Sequence, residues 1–396
     1  MGTKNIRTPI RPQRNKRYYC KRYFWQKPFW GFQETGQNGQ PRFCHGNRQG
    51  RLMTHSISLS IVIPTYNAKP YLSHTIDSIL KSKAINYEIV IVDNASDDGT
   101  IKHLKKRFVQ HLDKINFLIL DKNYGPAKAR NEGVKLANGA YLAFLDSDTE
   151  VDPQWANEAL FCFRANKKVA AIQCKLLLLR NRKNIDYVGE YLSNTGFLTQ
   201  VSPHGEADNG QYDFPHKILA AKSAGMFVTK EAFEKVGGFD EDYFIFVEET
   251  DLGWRLWLAG YEVILCPKSI VYHYFSATKD IVAKSFNNHL VRFHGTKNYI
   301  LTLYKNLSIR YLIKILPIHI ALWLSLAMYL IFTGNFRSGL NIFKGILWHF
   351  PNFLTNTQKR MSVQKMRVVS DSVIFESMSL MKNISIIDLV KKFMGV

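Results

Sequence analysis

Several signatures of common ligand sites are missing from this 396-residue sequence. Its five cysteines are widely spaced and form no CxxC pair, which argues against a zinc site or a disulfide framework and favours a reducing compartment. No GxGxxG follows the first predicted strand and no GxxxxGK(S/T) occurs, so a dinucleotide-binding or P-loop site is disfavoured. The N-terminal residues also lack the apolar core of a signal peptide.

Acidic residues are scarce relative to basic ones, and the formal net charge is +21. Residues 1–55 contain 12 Lys or Arg against one Glu and show no sustained hydrophobic period. Basic charge favours phosphate-bearing partners, either nucleic acid or anionic lipid. We predict a disordered basic tail over residues 1–55, with an RNA-binding arm as the alternative. Met53, directly before the first strong strand, is a candidate start.

From residue 57 the pattern changes to an alternation of strands and helices. Apolar runs at residues 57–63, 87–92, 115–120 and 141–145 are each followed by a helical spacing of apolar residues. This alternation predicts a doubly wound α/β sheet, and we place this domain at residues 56–290. Residues 180–220, with their Gly, Asn, Pro and His, are predicted to be loops that flank a site.

The apolar run at residues 141–145 leads directly into Asp146, Ser147 and Asp148. Open α/β sheets bind ligands at the C-terminal ends of their strands. Two carboxylates there are costly unless a cation or hydrogen bonds satisfy them, and hard oxygen ligands suit Mg²⁺ or Mn²⁺ bridging to a diphosphate. The motif predicts a metal–diphosphate site. Taken alone, it also leaves open a turn or a helix cap.

A second group of carboxylates, Glu248, Glu249 and Asp251, precedes an apolar helical pattern. These residues are typical of helix capping, and Asp251 has the spacing to pair with Arg255. The alternative is a general base beside a bound substrate. His273 follows the last predicted strand, where either a structural role or a ligand role is open.

The C-terminal part contains the most apolar stretch of the chain. Residues 315–333 reach the lower limit of a membrane span, and residues 336–350 have the pattern of an amphipathic helix lying on a membrane. The excess of basic residues before the first stretch places the globular part in the cytoplasm. We therefore predict a membrane-associating helical region at residues 291–396, with membrane contact through residues 315–350, single-pass or monotopic. A buried amphipathic or re-entrant helix is the alternative.

Four motifs occur in an order that resembles family 2 glycosyltransferases, especially the rhamnosyltransferase-like members. They cover about residues 57–275, and the resemblance implies the GT-A nucleotide-diphospho-sugar transferase fold, with a mixed sheet. The motifs are Val62–Asn67, Val92–Thr100, Leu145–Asp148, and the later pair Gly237–Asp240 and Glu248–Leu252.

The resemblance also implies individual roles. Thr65 and Asp93 match positions that contact a uracil or thymine base, and Asp146 matches a position near the ribose. Asp148 matches the metal ligand, with His273 completing the Mn²⁺ or Mg²⁺ site. The implied nucleotide-sugar-binding residues are Pro64, Thr65, Asn67, Asp93, Asn123, Gly125, Arg130, Asp146, Ser147 and Gly225.

The catalytic base of the family is the second residue of a Glu-Asp pair, and that position is Glu249 here. Glutamate keeps the chemistry but extends the reach by one methylene, so Glu248 and Asp251 stay open as substitutes. The sequence has no QxxRW, which processive members often carry. A polysaccharide-extruding synthase is therefore not expected.

The expected activity is inverting transfer of a sugar from a UDP- or dTDP-sugar, with dTDP-rhamnose as one candidate. The acceptor would be a hydroxyl of a lipid-linked or cell-envelope glycan, at the cytoplasmic face of the cell membrane. One alternative is a polyprenyl-phosphate sugar transferase. Another is a non-catalytic basic binder of membrane or nucleic acid. That alternative would leave four carboxylates without a function, namely Asp93, Asp146, Asp148 and Glu249. No nucleic-acid partner is therefore expected.

Overall fold

The computed structural model describes residues 58–83, 86–274 and 288–377. All of them belong to the compact unit Thr54–Val396. The predicted tail at residues 1–55 and the candidate start at Met53 lie outside the described residues.

The described chain contains eleven strands. They are β1 Leu59–Thr65, β2 Tyr87–Asp93, β3 Ile115–Ile119, β4 Tyr141–Phe144, β5 Thr149–Val151, β6 Val169–Leu178, β7 Asn181–Tyr187, β8 Glu190–Leu192, β9 Leu198–Gln200, β10 Met226–Thr229 and β11 Glu262–His273.

The same residues contain eleven α-helices. They are α1 Lys69–Leu80, α2 Thr100–Arg107, α3 Gly125–Leu136, α4 Trp155–Ala165, α5 Lys230–Lys235, α6 Glu248–Leu258, α7 Asn288–Asn306, α8 Ile309–Phe332, α9 Phe336–Leu347, α10 Phe353–Met366 and α11 Asp371–Ser377.

One mixed sheet organises the described residues. Its order is β3-β2-β1-β4-β10-β6-β11-β5, with β7 paired to β6, while β8 and β9 form a separate hairpin. Strands β1 to β4 pair in parallel, and β10 runs antiparallel between β4 and β6. The expected doubly wound, mixed sheet is thereby confirmed.

Helices cover both faces of this sheet, which explains why its central strands are apolar along their whole length. Helices α1, α2 and α4 contribute to the hydrophobic cluster on one face. Helices α3, α5 and α6 contribute to the cluster on the other face. Because β1 to β4 run parallel, their C-terminal ends all lie at one edge of the sheet, and the loops that follow them meet there.

The C-terminal helices pack onto the α3 and α6 face. Leu303 of α7, Leu307 directly after it, Ile315 of α8, Val363 of α10 and Ile374 of α11 are buried in that cluster. Helix α8 begins six residues before the predicted apolar stretch, because polar residues of its first turns continue the helix. A domain boundary at residue 290 stays a prediction.

The prediction of loops over residues 180–220 was wrong in part. Strands β7, β8 and β9 lie in this stretch. The first half of β7 is exposed and polar, and only Ile185, Asp186 and Tyr187 are buried. A strand that is buried over three residues has too little alternation to be recognised from its sequence.

Candidate functional site

The residues predicted to contact the nucleobase lie at the C-terminal ends of adjacent strands. Thr65 and Asp93 are direct neighbours in the parallel register of β1 and β2, and both are buried. The hydroxyl of Thr65 is buried and has no hydrogen-bond partner among the described residues. Asn67 ties the two loops together, because its Oδ1 accepts from the Asp97 amide at 3.0 Å. Pro64 precedes Thr65 and is half-buried.

Three predicted residues meet at one point of this edge. One ligand atom each of Asp146, Asp148 and His273 lies within 4.8 Å of the others. The sheet explains the meeting, because β11 pairs with β5 so that His273 is opposite Thr149. Residues 125 positions apart in the chain thus come together, and His273 Nε2 lies 3.5 Å from Asp148 Oδ1.

Asp186 contacts the candidate site and was missed by the sequence reasoning. Its Oδ2 accepts from His273 Nδ1 at 2.7 Å, and its Oδ1 lies 3.1 Å from His204 Nδ1. A carboxylate on one ring nitrogen orients the other nitrogen toward a metal position. The only signal for it was a carboxylate between Ile185 and Tyr187, two apolar residues of an undetected strand.

The donor set fits a divalent cation. Asp148 is buried, and its Oδ2 has no hydrogen-bond partner among the described residues. Burial alone would lower the pKa of His273, but its contacts with Asp148 and Asp186 raise the pKa to about 10. The negative charge of Asp148 and Asp186, which holds a proton on His273, would also attract a metal ion. The carboxylates of Asp146 and Asp148 are ligands that suit Mn²⁺ and Mg²⁺.

Arg130 of α3 connects the two groups of carboxylates. Its guanidinium is buried and lies 3.0 Å from Asp146 Oδ1 and 3.0 Å from Glu248 Oε1. Helix α3 carries it into the site, because Gly125 and Pro126 start that helix at the edge of the sheet. A guanidinium held in this way presents a fixed positive charge beside the cluster.

The three carboxylates of α6 have separate environments. Asp251 is fully buried and pairs with Arg255 at 2.8 Å and Lys305 at 3.0 Å. Glu248 is buried, and burial and its neighbour Glu249 raise its pKa to about 8, although Arg130 lowers it. Glu249 is half-buried, and its Oε1 accepts from the Ser223 hydroxyl at 2.7 Å. Of these three carboxylates, only Glu249 therefore reaches both solvent and the turn of small residues Ser223–Gly225.

The remaining predicted residues line or support the edge. Gly225 is packed so closely that a Cβ would lie 2.6 Å from a Leu176 methyl carbon. The Ser147 carbonyl accepts from the Thr75 hydroxyl at 2.9 Å. Asn123 is exposed, and its Oδ1 accepts from the Gly125 amide at 2.9 Å. In this structure Asn123 therefore forms an Asx turn directly before α3.

Comparisons with known proteins agree with this geometry. Residues 60–198 match the profile of the glycosyl transferase family 2, and residues 141–355, more than half of the chain, match that of the glycosyl transferase family group 2. The glycosyltransferase AglE of Haloferax volcanii is 27% identical over 244 residues, which cover 58% of this chain and 70% of that protein. The O-antigen biosynthesis protein RfbC of Myxococcus xanthus is 28% identical over 56% of this chain, but only 18% of that protein is covered.

A solved structure shares the fold. The crystal structure of GalNAc-T7 with UDP, GalNAc and Mn²⁺ has a TM-score of 0.51 and 17% identity, and covers 65% of this chain and 49% of that chain. At this identity the likeness concerns the fold alone, and it confirms the expected α/β GT-A fold. With the family profiles, the ordered motifs and this fold in hand, the chain belongs to the family 2 glycosyltransferases.

Proposed function

We propose that the protein is a divalent-cation-dependent inverting glycosyltransferase that uses a UDP- or dTDP-sugar, with dTDP-rhamnose as one candidate. One observation carries the proposal: the cation-binding group Asp146, Asp148 and His273 lies on the same sheet edge as a reachable carboxylate, Glu249. This arrangement supplies both parts that sugar transfer needs, a site for the diphosphate and a base for the acceptor.

Thr65 and Asp93 would bind the base of the nucleotide. The buried Thr65 hydroxyl, which has no partner among the described residues, can donate or accept a hydrogen bond. The Asp93 carboxylate already accepts from the Ser96 hydroxyl and amide, and this fixes its orientation. The Arg130 guanidinium, which its contact with Asp146 orients, would direct its positive charge toward the phosphates.

Asp148 and His273 would hold Mn²⁺ or Mg²⁺, with Asp146 beside them and Asp186 orienting the imidazole. A cation there would neutralise the charge that develops on the departing nucleoside diphosphate. The GalNAc-T7 structure contains UDP and Mn²⁺, which supports a donor and a cation of this kind.

Glu249 is the base that the geometry favours. Asp251 is sealed by its cationic partners, and the raised pKa of Glu248 keeps that residue protonated near neutral pH. Paired titratable groups with separated pKa values often divide their roles in this way. Glu249 would take the proton of an acceptor hydroxyl as that oxygen bonds to the anomeric carbon. The bond from this carbon to the diphosphate oxygen breaks at the same time, which inverts the configuration.

The relatives suggest the setting of the reaction. AglE is named as a glycosyltransferase, and RfbC as an O-antigen biosynthesis protein. A teichuronic acid biosynthesis glycosyltransferase of Bacillus subtilis is 38% identical over 90 residues. These names support a lipid-linked or cell-envelope glycan as the acceptor. Because this chain spans only part of two of these three proteins, acceptor and pathway belong to the proposal.

Membrane attachment is the remaining part of the proposal. Helix α8 is long and apolar enough to cross a membrane, but one of its faces is docked on the protein. His319 is fully buried, and its Nδ1 contacts the Thr195 carbonyl at 3.0 Å. Because buried residues run along one face of α8 from Leu312 to Ala327, we propose that α8 and α9 lie on the cytoplasmic surface of the membrane and do not cross it. Their exposed residues include the apolar Ile318, Leu324 and Met328 of α8 and Leu340 of α9, together with basic residues, and residues 281–370 contain no Asp or Glu.

Donor and cation binding can be tested by thermal denaturation with UDP-sugars and dTDP-sugars, with and without Mn²⁺. A ligand at about 100 times its Kd adds about 2.7 kcal/mol to stability. We expect the midpoint to rise only when donor and Mn²⁺ are both present, and Asp148→Ala to abolish the rise. The exposed Asp113→Ala is the matched control and should behave as wild type. An unchanged rise in Asp148→Ala would refute the proposed cation site.

Attachment can be tested by flotation with vesicles that contain anionic phospholipid. We expect the wild-type protein to float, and Phe332→Glu, at an 80% exposed position of α8, to weaken flotation. A cysteine placed at Asn335, in the turn between α8 and α9, should react with an impermeant thiol reagent from the catalytic side only. Labelling from the opposite side would show that α8 spans the bilayer.

A further inference from the structure

The chain directly before α6 has an unusual backbone. Phe244, Phe246 and Val247 have φ angles of 58°, 71° and 68°. Phe244 also has a ψ of −65°, and the Ile245 amide donates to the Tyr243 carbonyl at 2.7 Å, which together form a γ-turn of the rare, strained kind. Large side chains persist in such conformations only where their surroundings enforce them. We call residues 243–247 the strained segment.

The strained segment determines where α6 begins. Val247 is the residue that starts the helix, and it has no side chain that could cap it. Its carbonyl accepts the first helical hydrogen bond, from the Asp251 amide at 3.0 Å. Glu249 is two residues further on. The strained segment therefore sets the direction of the first turn of α6.

Asn298 of α7 holds the strained segment from one side. This residue is fully buried. Its Nδ2 donates to the carbonyls of Tyr243 at 3.0 Å, Ile245 at 2.8 Å and Phe246 at 2.8 Å. The two N–H groups of this one amide are thus shared among three backbone carbonyls of the strained segment.

Two further contacts confine the segment. On the α7 side, the Thr302 hydroxyl lies 2.6 Å from the Tyr243 hydroxyl. On the opposite side, Gly125 approaches so closely that a Cβ there would lie 2.5 Å from the Phe244 carbonyl oxygen. The segment is therefore held between α7 and the first residue of α3.

We propose that Asn298 is a positioning residue for glycosyl transfer: it fixes the strained segment, and through it the first turn of α6, so that Glu249 stays against Ser223. The inference rests on the proposed role of Glu249 as the base. Asn298 acts only through the backbone of residues 243–247 and holds no place in the donor site. Its loss should therefore affect the reaction step and leave the binding of donor and cation intact.

The test compares Asn298→Ala with Asn356→Ala in the full-length protein. Asn356 of α10 is also a buried asparagine, and its Nδ2 contacts His349 rather than the strained segment. The first readout is hydrogen–deuterium exchange of peptides that cover residues 243–252. The second is UDP or dTDP release with water as acceptor, from the nucleotide-sugar that gives the largest thermal shift with Mn²⁺.

For Asn298→Ala we expect exchange in residues 243–252 to quicken at least tenfold, and kcat for nucleotide release to fall at least tenfold with the donor KM within about threefold of wild type. Asn356→Ala should lower the thermal midpoint without either change. Equal changes in the two variants, or an unchanged exchange rate in folded Asn298→Ala, would overturn the inference.

A second variant covers a failure of Asn298→Ala to fold. Thr302→Val keeps the volume of the side chain and removes only its contact with the Tyr243 hydroxyl. It should show the same pattern to a smaller extent, and a wild-type exchange rate and kcat in Thr302→Val would then contradict the inference. Glu249→Gln separates this inference from the proposed function. If Glu249→Gln releases nucleotide at the wild-type rate, the base assignment fails, whatever Asn298 does.

Discussion

Two clusters of carboxylates meet at α6, and the protein neutralises them to different degrees. In the paired cluster, Asp240 and Asp251 face Lys305, Lys359 and Arg255 at 3.0 Å or less. In the site cluster, Arg130 and His273 are the cationic groups that contact the carboxylates among the described residues. The carboxylates of the site cluster are Asp146, Asp148, Glu248 and Glu249.

The pKa values of the two clusters move in opposite directions. Burial raises the pKa of Asp240, but Lys305 and Lys359 outweigh it and hold the pKa well below its usual value. The pKa of Glu248 rises to about 8 through burial and the charge of Glu249. A carboxylate with internal cationic partners serves the fold, whereas carboxylates crowded together with few such partners either take up a proton, as Glu248 does, or leave negative charge for a ligand. Mutations in the first cluster should affect stability, and mutations in the second should affect function.

The largest expected effect belongs to Glu249→Gln, which removes the base and keeps the shape of the side chain. Loss of a general base typically costs 10²- to 10⁴-fold in rate. We expect a fall of that size in kcat, with the thermal shift by donor and Mn²⁺ retained. The exposed Glu231→Gln is the control and should keep full activity. Full turnover by Glu249→Gln would remove the difference between the clusters, because it would leave the site cluster without a reactive member.

The next effect concerns the paired cluster. Asp251→Asn leaves Lys305 and Arg255 facing an amide in a fully buried position. Breaking a buried ion pair in this way costs about 3–5 kcal/mol. We expect a loss of that size in the free energy of unfolding, measured with urea. The exposed pair of Asp77 and Arg107 provides the comparison, since Asp77→Asn should cost less than about 1 kcal/mol.

A smaller effect is expected from Asp186→Asn, because Asp186 acts on the site cluster only through His273. Outer carboxylates of this kind contribute about 10- to 100-fold to metal affinity. We expect Mn²⁺ affinity, measured by calorimetry, to fall within that range while the urea midpoint changes little. His204→Gln removes the other partner of Asp186 and should keep Mn²⁺ affinity close to wild type. Comparable losses in both variants would make Asp186 a general structural residue.

The two clusters also differ in how far the sequence could reveal them. Asp146 and Asp148 follow an apolar run, and Glu249 stands in an ordered set of motifs, so local pattern and resemblance were sufficient to select these residues as candidates. The sequence also suggested the Asp251–Arg255 pair, because the two residues are four positions apart on one helix. Lys305 and Lys359 come from α7 and α10, and no local pattern could connect them with Asp240.

Asp186 and Asn298 escaped recognition for the same reason. Asp186 lies on a strand with only three buried residues, 87 positions from the histidine that it orients. Asn298 lies in a basic, polar helix. Its partners are backbone carbonyls, which every residue has, so the residue types of the strained segment do not indicate the contact. Contacts of this kind depend on the packing of distant helices, so only the three-dimensional structure shows them.

A fourth effect, a dependence of stability on pH, has opposite signs in the two clusters. Because the pKa of Glu248 is about 8 in the folded protein and about 4.3 in an unfolded chain, the folded state binds more protons between these values. Stability should therefore fall as pH rises from about 5 to 8, by up to about 1.4 kcal/mol per pH unit. Asp240 and Asp251, with lowered pKa values, should instead lose their contribution as pH falls below about 4.

Urea unfolding in EDTA across pH 3 to 8 measures both slopes, since chelation removes any contribution from bound cations. Glu248→Gln cannot titrate, so it should reduce the decline between pH 5 and 8 and keep the loss below pH 4. The decline that remains comes from His273 and Asp146, whose pKa values are also raised in the folded protein. The exposed Glu231→Gln should retain both slopes of the wild-type protein. If Glu248→Gln declines as steeply as wild type, the group that takes up the proton in the site cluster is not Glu248, and Glu248 is then ionised and paired with Arg130 as the members of the paired cluster are with their lysines.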